Sequence, residues 1–318
     1  MVGVIRRSFS DPHAYQQTLR GALASQYTTS ARGVFEAELT IIDLDRVWLQ
    51  RGSENLPRTM HIDVESKRRT VAFLVDGNAA RLLLSGYDFD AQHIVSLGYG
   101  SSHFQRTFGP VHWAAMSLPE GCLEEAARTM ADRDIGEPRT TLWAKKPSAE
   151  HLTQLRRLHQ SVDQMARSGD APLDHPEVRR ALEQSITAAM VACLTAGTDK
   201  GRTSGWQRHQ QRMRLFKEWL DANAGRAVYL QEICSALNIS APTLRRSCEE
   251  HLGMSPMQYL WLRRMNLARR ELQRADSSAS VTATAMNFGF WHLGRFADEY
   301  RCLFGETPSA TKARRSRG

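Results

Sequence analysis

The sequence predicts an α+β chain: a β-rich N-terminal half, helices after it, and an all-helical C-terminal domain holding two helix-turn-helix units. Three observations carry this. Residues 35–117 break into short runs of β-formers separated by Gly-rich turns. Residues 149–168 and 175–195 show apolar residues at helical spacing. Residues 206–318 twice repeat the order helix, tight turn, helix, glycine stop.

In chain order, residues 1–32 are polar and irregular, with a short helix expected at 15–23. Strands are expected at 35–44, 47–51, 59–63, 70–75, 80–85, 93–97 and 111–117, with turns at Arg51-Gly52-Ser53, Asp76-Gly77-Asn78, Gly86-Tyr87-Asp88 and Gly98-Tyr99-Gly100. Many short strands with such turns make a sandwich or a barrel, and a barrel can hold a small ligand in its mouth. Trp48, Phe73 and Trp113 fall on strands as core or pocket residues, and His61 and Arg69 are candidates to orient a polar effector.

Helices follow at 120–132, 149–168 and 175–195; Ser148 and Asp174 precede the last two as caps, and Pro176 sits just inside the third. Their apolar stripes serve packing against the sheet or a dimer contact. AGTDKGRTSG, residues 196–205, lacks any large apolar side chain and reads as a linker. The expected domains are 1–197, 198–205 as linker, and 206–318.

In the C-terminal domain, 208–223 is an amphipathic helix, and Leu230, Ile233, Cys234 and Leu237 share one face of the next. Asn238-Ile239-Ser240 turns the chain, Ser240 caps, Pro242 falls in the first turn, and Gly253 stops that helix. A long helix at 256–274 leads to the second unit, 281–304, where Asn287-Phe288-Gly289-Phe290 makes the turn and Gly305 the stop.

Charge is uneven. Residues 206–318 carry 18 Lys+Arg against 10 Asp+Glu, whereas residues 1–205 carry 24 of each. Apart from Lys217 and Lys312, the C-terminal bases are arginines, suited to bidentate contact with phosphate and guanine. A basic helical domain joined to a neutral one points to polyanion binding at one end and a different task at the other. The five cysteines are scattered without a CxxC pair, no apolar run approaches a membrane span, and the N-terminus lacks a secretory h-region, so a cytoplasmic protein with reduced thiols is expected. His61, His93, His103 and His112 are isolated and no HxH occurs, so no metal, cofactor or catalytic residue is assigned.

Residues 212–314 resemble the AraC/XylS transcription regulators. The resemblance rests on Leu230, Ala236, Ser240, Leu244, Arg246, Gly253, Pro256, Tyr259, Arg263, Ala268, Leu272, Ala285, Gly289, Phe290, Phe296, Tyr300, Phe304, Gly305, Thr307 and Pro308. The wording HLGRFA…YR..FGE.PS is most like the XylS-type branch. The resemblance implies a cupin-like β-barrel that senses a small-molecule effector and dimerises, followed by a DNA-binding domain. It also implies activation, double-stranded promoter DNA and RNA polymerase as partners, and a homodimer. Ser240, Pro242, Thr243, Arg245 and Arg246 of the first reading helix, and His292, Gly294, Arg295 and Asp298 of the second, are expected at DNA. Two positions depart from the family's pattern: Cys248 stands where Phe is usual, and Asp298 where Arg is frequent. The alternatives are a cupin-type enzyme fused to a DNA-binding domain, a DNA-repair methyl acceptor of similar layout, and a regulator answering only to a partner protein.

Overall fold

A computed structural model describes residues 3–20, 23–64, 67–75, 81–98, 100–135, 142–168, 171–199, 206–223, 225–274 and 278–315. The chain opens with β1 (Val4–Phe9), α1 (Pro12–Thr18) and β2 (Leu23–Thr29). β3 (Ala37–Asp43), β4 (Trp48–Glu54), β5 (Arg58–Asp63), β6 (Arg68–Leu74), β7 (Leu82–Leu84), β8 (Tyr87–Phe89), β9 (Ile94–Leu97), β10 (Ser102–Thr107) and β11 (Val111–Pro119) follow. Next come α2 (Cys122–Ala131), β12 (Leu142–Lys146), α3 (Ala149–Ser168), α4 (Pro176–Ala196) and β13 (Thr198–Asp199). The C-terminal helices are α5 (Trp206–Ala222), α6 (Leu230–Ala236), α7 (Ala241–Leu252), α8 (Pro256–Gln273), α9 (Val281–Asn287), α10 (Leu293–Phe304) and α11 (Pro308–Arg315).

The strands form two facing sheets, with no closed barrel among the described residues. An eight-stranded sheet runs β1-β3-β4-β11-β6-β9-β12-β13, and a five-stranded sheet runs β2-β5-β10-β7-β8. Each ends in edge strands paired only within its own sheet, which leaves a sandwich. One core lies between the sheets, built on Leu39, Ile41, Met60, Ile62, Leu84 and Leu97. A second lies on the other face of the large sheet, where Val71, Phe73 and Met116 pack against Leu155, Val162, Ile186 and Met190 of α3 and α4. The apolar stripes of those helices are therefore covered by sheet.

The sequence expectations differ from the structure in several places. Arg51-Gly52-Ser53, expected as a turn, is the middle of β4, where Gly52 pairs with Leu39 and Trp113 and is glycine because a Cβ there would lie 2.5 Å from the Trp113 ring. Tyr87 and Asp88, also expected in a turn, lie in β8, and α11 follows the last expected helix. Residues 1–32 hold two strands, and the first helix sits at Pro12–Thr18, where Asp11 accepts from the His13 and Ala14 amides at 2.9 Å and so fixes the start upstream of Tyr15. β8, β10 and β12 lie outside the expected strands. His175, not Asp174, is the N-cap of α4, because Asp174 closes a 3₁₀ turn and Pro176 starts the helix. Thr198 and Asp199, read as linker, pair with Lys146 and Lys145. The expected turn at 76–78, Ala80, Tyr99 and linker residues 200–205 lie outside the described residues. No described helix is long and apolar enough to cross a membrane.

Helices α5–α10 share a third core, in which Phe216, Leu244, Tyr259, Met265, Phe296 and Tyr300 are buried. Phe104 of β10 belongs to it as well, so the small sheet packs one face on the inter-sheet core and the other on the helical domain. Register explains this. Gln105 pairs with Met60 and Leu84, and these side chains face the large sheet, whereas Phe104 pairs with His61 and faces the helices. On that outer face Phe104 meets Tyr259 edge-on at 6.2 Å, Lys217 Nζ meets Asp63 Oδ2 at 2.9 Å, and Arg106 Nη1 donates to the Leu252 and Gly253 carbonyls at 3.1 and 2.6 Å.

Candidate nucleic-acid interface and inter-sheet cavity

The first helix-turn-helix is α6 and α7. Asn238 makes the turn with φ +50°, and the Ser240 hydroxyl accepts from the Thr243 amide at 3.3 Å as N-cap of α7. Leu244, Cys248 and Leu252 bury one face of α7, and Gly253 ends it at φ +63°. The opposite face carries Arg245 and Arg246, with side chains 69% and 76% exposed. Each is held one turn away by a glutamate: Arg245 Nε to Glu249 at 2.8 Å and Arg246 Nε to Glu250 at 2.9 Å. Solvent screens these exposed pairs, so they offer little resistance to exchange for a phosphate or a base edge. Pro242 is exposed beside them, while Thr243 Oγ1 lies 2.8 Å from Ser240 Oγ, so both hydroxyls are committed to the cap.

The second unit is α9 and α10. Ser280 caps α9, and Gly289 turns the chain at φ +77°. A Cβ there would lie 2.8 Å from Ala227 Cβ and 3.1 Å from Arg264 Nη1, which is the physical reason for glycine at this position. Phe296, Tyr300 and Phe304 form the buried face of α10, with successive rings 5.6 and 4.6 Å apart. His292, Gly294, Arg295 and Asp298 all fall on its exposed face. Arg295, 78% exposed, pairs with Glu299 at 2.7 Å. Burial opposes ionisation of Glu299, but Arg295 and Trp261 hold its carboxyl below the usual range. Trp291 and Leu293 are exposed on this surface as well.

All nine residues expected at DNA thus lie on or cap the exposed faces of α7 and α10, and both helices bury their opposite faces in the core built around α8.

The expected effector residues are dispersed. A mainly apolar cavity of about 100 Å³ lies between the sheets, bordered by Phe73 and Trp113 of that set. Phe73 also packs its ring edge-on to His159 of α3 at 5.7 Å. Trp48 lies under the Arg68 guanidinium, 3.8 Å from its ring centroid. His61 is on the outer face of the small sheet, 3.4 Å from Asp63. Burial opposes the ionised form of Asp63, but His61, Lys217 and Ser102 hold its carboxyl far below the usual range. Arg69 is fully buried, donating to Glu124 at 2.6 Å and Ser96 at 2.9 Å beneath the large sheet.

Sequence reasoning missed the polar lining of the cavity. Arg58 and Glu54, four residues apart across the β4–β5 turn, form a buried pair at 2.7 Å. Glu54 also accepts from Tyr15 at 3.1 Å, Tyr27 at 2.7 Å and Trp113 at 2.9 Å. Burial disfavours its charge, yet Arg58 and these donors keep the carboxyl below its ordinary range. Thr70 and Gln105 line the same space.

Two helix-turn-helix units on one basic helical domain define a DNA-binding protein. The "Helix-turn-helix domain" family description matches residues 233–314. The chain is 32% identical over 151 residues to the probable thc operon regulatory protein of Rhodococcus erythropolis, covering 43% of this chain and 44% of that one. It is 35% identical over 95 residues to XylDLEGF operon transcriptional activator 2 of Pseudomonas putida, covering 30% and 60%. With the transcriptional activator RhaS of Pectobacterium carotovorum it shares 28% over 165 residues, covering 52% and 56%. Among solved structures, an AraC family regulator from Rhodopseudomonas palustris is 31% identical, covering 33% of this chain and 97% of that one, with a TM-score of 0.30. The AraC-like activator CuxR is 14% identical, covering 83% and 95%, with a TM-score of 0.42. The chain belongs to the AraC/XylS family of transcription regulators through its C-terminal domain. Matches to the curated relatives named here span about half of their own length.

Proposed function

We propose that the chain is an effector-responsive transcription activator that binds double-stranded promoter DNA through α7 and α10. One observation carries this reading: Arg245, Arg246 and Arg295 stand exposed on two helices that bury their other faces in one core. Arg245, Arg246 and Arg295, with Pro242, His292, Gly294 and Asp298, are assigned to base edges and phosphates, and Ser240 and Thr243 to holding the start of α7. Asp298, acidic on a surface facing phosphates, suits an acceptor for cytosine N4. Residues 1–197 are assigned to effector sensing and dimerisation and 206–318 to DNA, with RNA polymerase as partner of the bound homodimer in the cytoplasm. A small molecule in the inter-sheet cavity acts through the small sheet, whose opposite face holds α7 by way of Arg106. Such control requires the effector to bind the two arrangements unequally.

Selection of bound sequences from random duplex DNA, followed by affinity measurement across salt concentrations, tests the reading. The expected result is an enriched bipartite site whose affinity falls steeply with salt. Absence of any enriched site contradicts it. The alternative is a cupin-type enzyme fused to the DNA-binding domain. Stoichiometric metal retained after chelation favours that reading instead.

A further inference from the structure

The polar groups around the inter-sheet cavity are unbalanced in one specific way. Arg58 is 1% exposed, and its Nε and Nη2 bond Glu54 at 2.7 and 3.5 Å. Its Nη1 has no partner. The side-chain oxygen of Gln105 and the hydroxyl of Thr70, both at buried atoms, are also unpartnered. All three residues line the cavity. Register places two of them close together: Gln105 sits opposite Met60, two residues from Arg58 on the same face of β5, a diagonal of ~7–8 Å. Thr70 faces them from β6 in the large sheet. The rest of the lining is apolar, with Met60, Ile62, Leu82, Leu84, Phe89 and Leu97 prominent. Gln50 offers nothing, because its amide is closed on the Arg20 backbone at 2.9 and 2.7 Å. Arg20 also borders the cavity; the residue is exposed, and its guanidinium lies 5.8 Å from the Trp48 ring centroid.

One donor group, one acceptor and one hydroxyl are therefore left over in a mainly apolar space, and an orphaned buried polar group is costly. The guanidinium charge is not left over, since Glu54 already neutralises it inside the protein. An anionic ligand would bring an unpaired charge beside Glu54, and a cation would meet Arg58. Only a group that accepts from Arg58 and donates to Gln105 balances the set. The volume, about 100 Å³, is below the ~150 Å³ of an apolar cavity that holds benzene.

We infer that the cavity binds a small uncharged molecule with an apolar body and a single head that both donates and accepts, a hydroxyl or primary amide, placed between Arg58, Gln105 and Thr70. This rests on the cavity being the effector site of the proposed regulator, and it excludes carboxylates from that site.

The test uses the full chain carrying ¹³C-methyl alanine and leucine, with Ala72, Ala115, Leu84 and Leu97 as reporters inside the cavity. Four probes share a four-carbon body: n-butanol, butanamide, butanoate and 1-chlorobutane. The expected result is saturable shifts of these methyls with butanol and butanamide, and binding weaker by roughly tenfold or more for the other two, the loss that follows when a buried donor or acceptor goes unmatched. Gln105→Leu and Thr70→Val each remove the preference for butanol over 1-chlorobutane. Butanoate binding as tightly as butanol overturns the inference. So does an undiminished preference in both variants, or no methyl shift from any probe with ordered water bridging Arg58 and Gln105, which marks a hydrated core. Operator affinity of each ligand-free variant, measured alongside, reads the regulatory assignment separately. Loss of DNA binding in the unsubstituted protein contradicts that assignment and leaves the methyl result to decide the ligand class.

Discussion

Arg106→Ala isolates the contact between the small sheet and the first reading helix. In the native protein the Arg106 guanidinium donates to the last carbonyls of α7, Leu252 at 3.1 Å and Gly253 at 2.6 Å, and lies 4.7 Å from the Phe108 ring centroid. Those carbonyls are orphans of the helix end and carry the negative pole of its dipole. A hydrogen bond from a charged donor is worth about 1.5–3 kcal/mol, and a cation at a helix C-terminus about 0.3–1 kcal/mol more. Arg106 is only half-buried, so solvent screening reduces the total to about 2 kcal/mol. That energy corresponds to roughly 30-fold in a local opening equilibrium. Hydrogen exchange of the full chain is the assay. The amides of residues 251–254 are expected to lose about 30-fold protection in Arg106→Ala, while those of α3 and α4 stay unchanged. Arg106→Lys keeps the charge but loses the planar guanidinium over the Phe108 ring, and is expected to fall between the two. Unchanged exchange at 251–254 in Arg106→Ala refutes the claim that this side chain docks α7 on the sheet.

Three further outcomes follow from the packing. Glu54→Gln leaves the Arg58 cation buried without its partner and is expected to cost about 3–5 kcal/mol in denaturant unfolding; a loss below about 1 kcal/mol contradicts the buried pair. Gly289→Ala forces a Cβ into Ala227 at φ +77° and is expected to destabilise the helical domain by about 1–3 kcal/mol, seen as a lowered melting temperature and weaker operator binding. Burial, aided by Arg51, pushes His159 down from 6.5 to about 4, and burial with His209 does the same to His251. The unfolded chain then takes up protons below pH 6.5 that the folded one refuses until about pH 4, so stability is complete above 6.5 and is lost as pH falls between those values. The full shift of one such histidine corresponds to roughly 3 kcal/mol, and His159→Phe is expected to reduce the pH dependence of stability.

The helical domain was legible in the sequence because each of its signals is local. Ser240, Gly253, Gly289 and Gly305 act on their own turns, and the faces of α7 and α10 follow from 3.6-residue spacing. The β-rich half was legible as a class but not strand by strand. β10 reads SHFQRT and shows no half-buried alternation, because one of its faces lies on a cavity and the other on a second domain. β1 is an edge strand with Arg6 and Arg7 exposed, so hydrophobic pattern does not mark it. The cavity's polar set escaped for a different reason. Arg58, Thr70 and Gln105 come together only through sheet packing and pairing, and nothing in their sequence spacing distinguishes them from surface residues. His61 and Arg69, chosen as polar residues on strands, are buried in ion pairs that hold elements together.

Hydroxyl-radical footprinting on the selected operator tests the central claim most directly. If α7 and α10 both read DNA, the protein protects two segments on one face of the duplex about one helical turn, ~34 Å, apart. Arg246→Ala then weakens protection of one segment, at a cost of about 1–3 kcal/mol in affinity, and Arg295→Ala weakens the other. A single protected segment, or a footprint and affinity unchanged in both variants, contradicts the account.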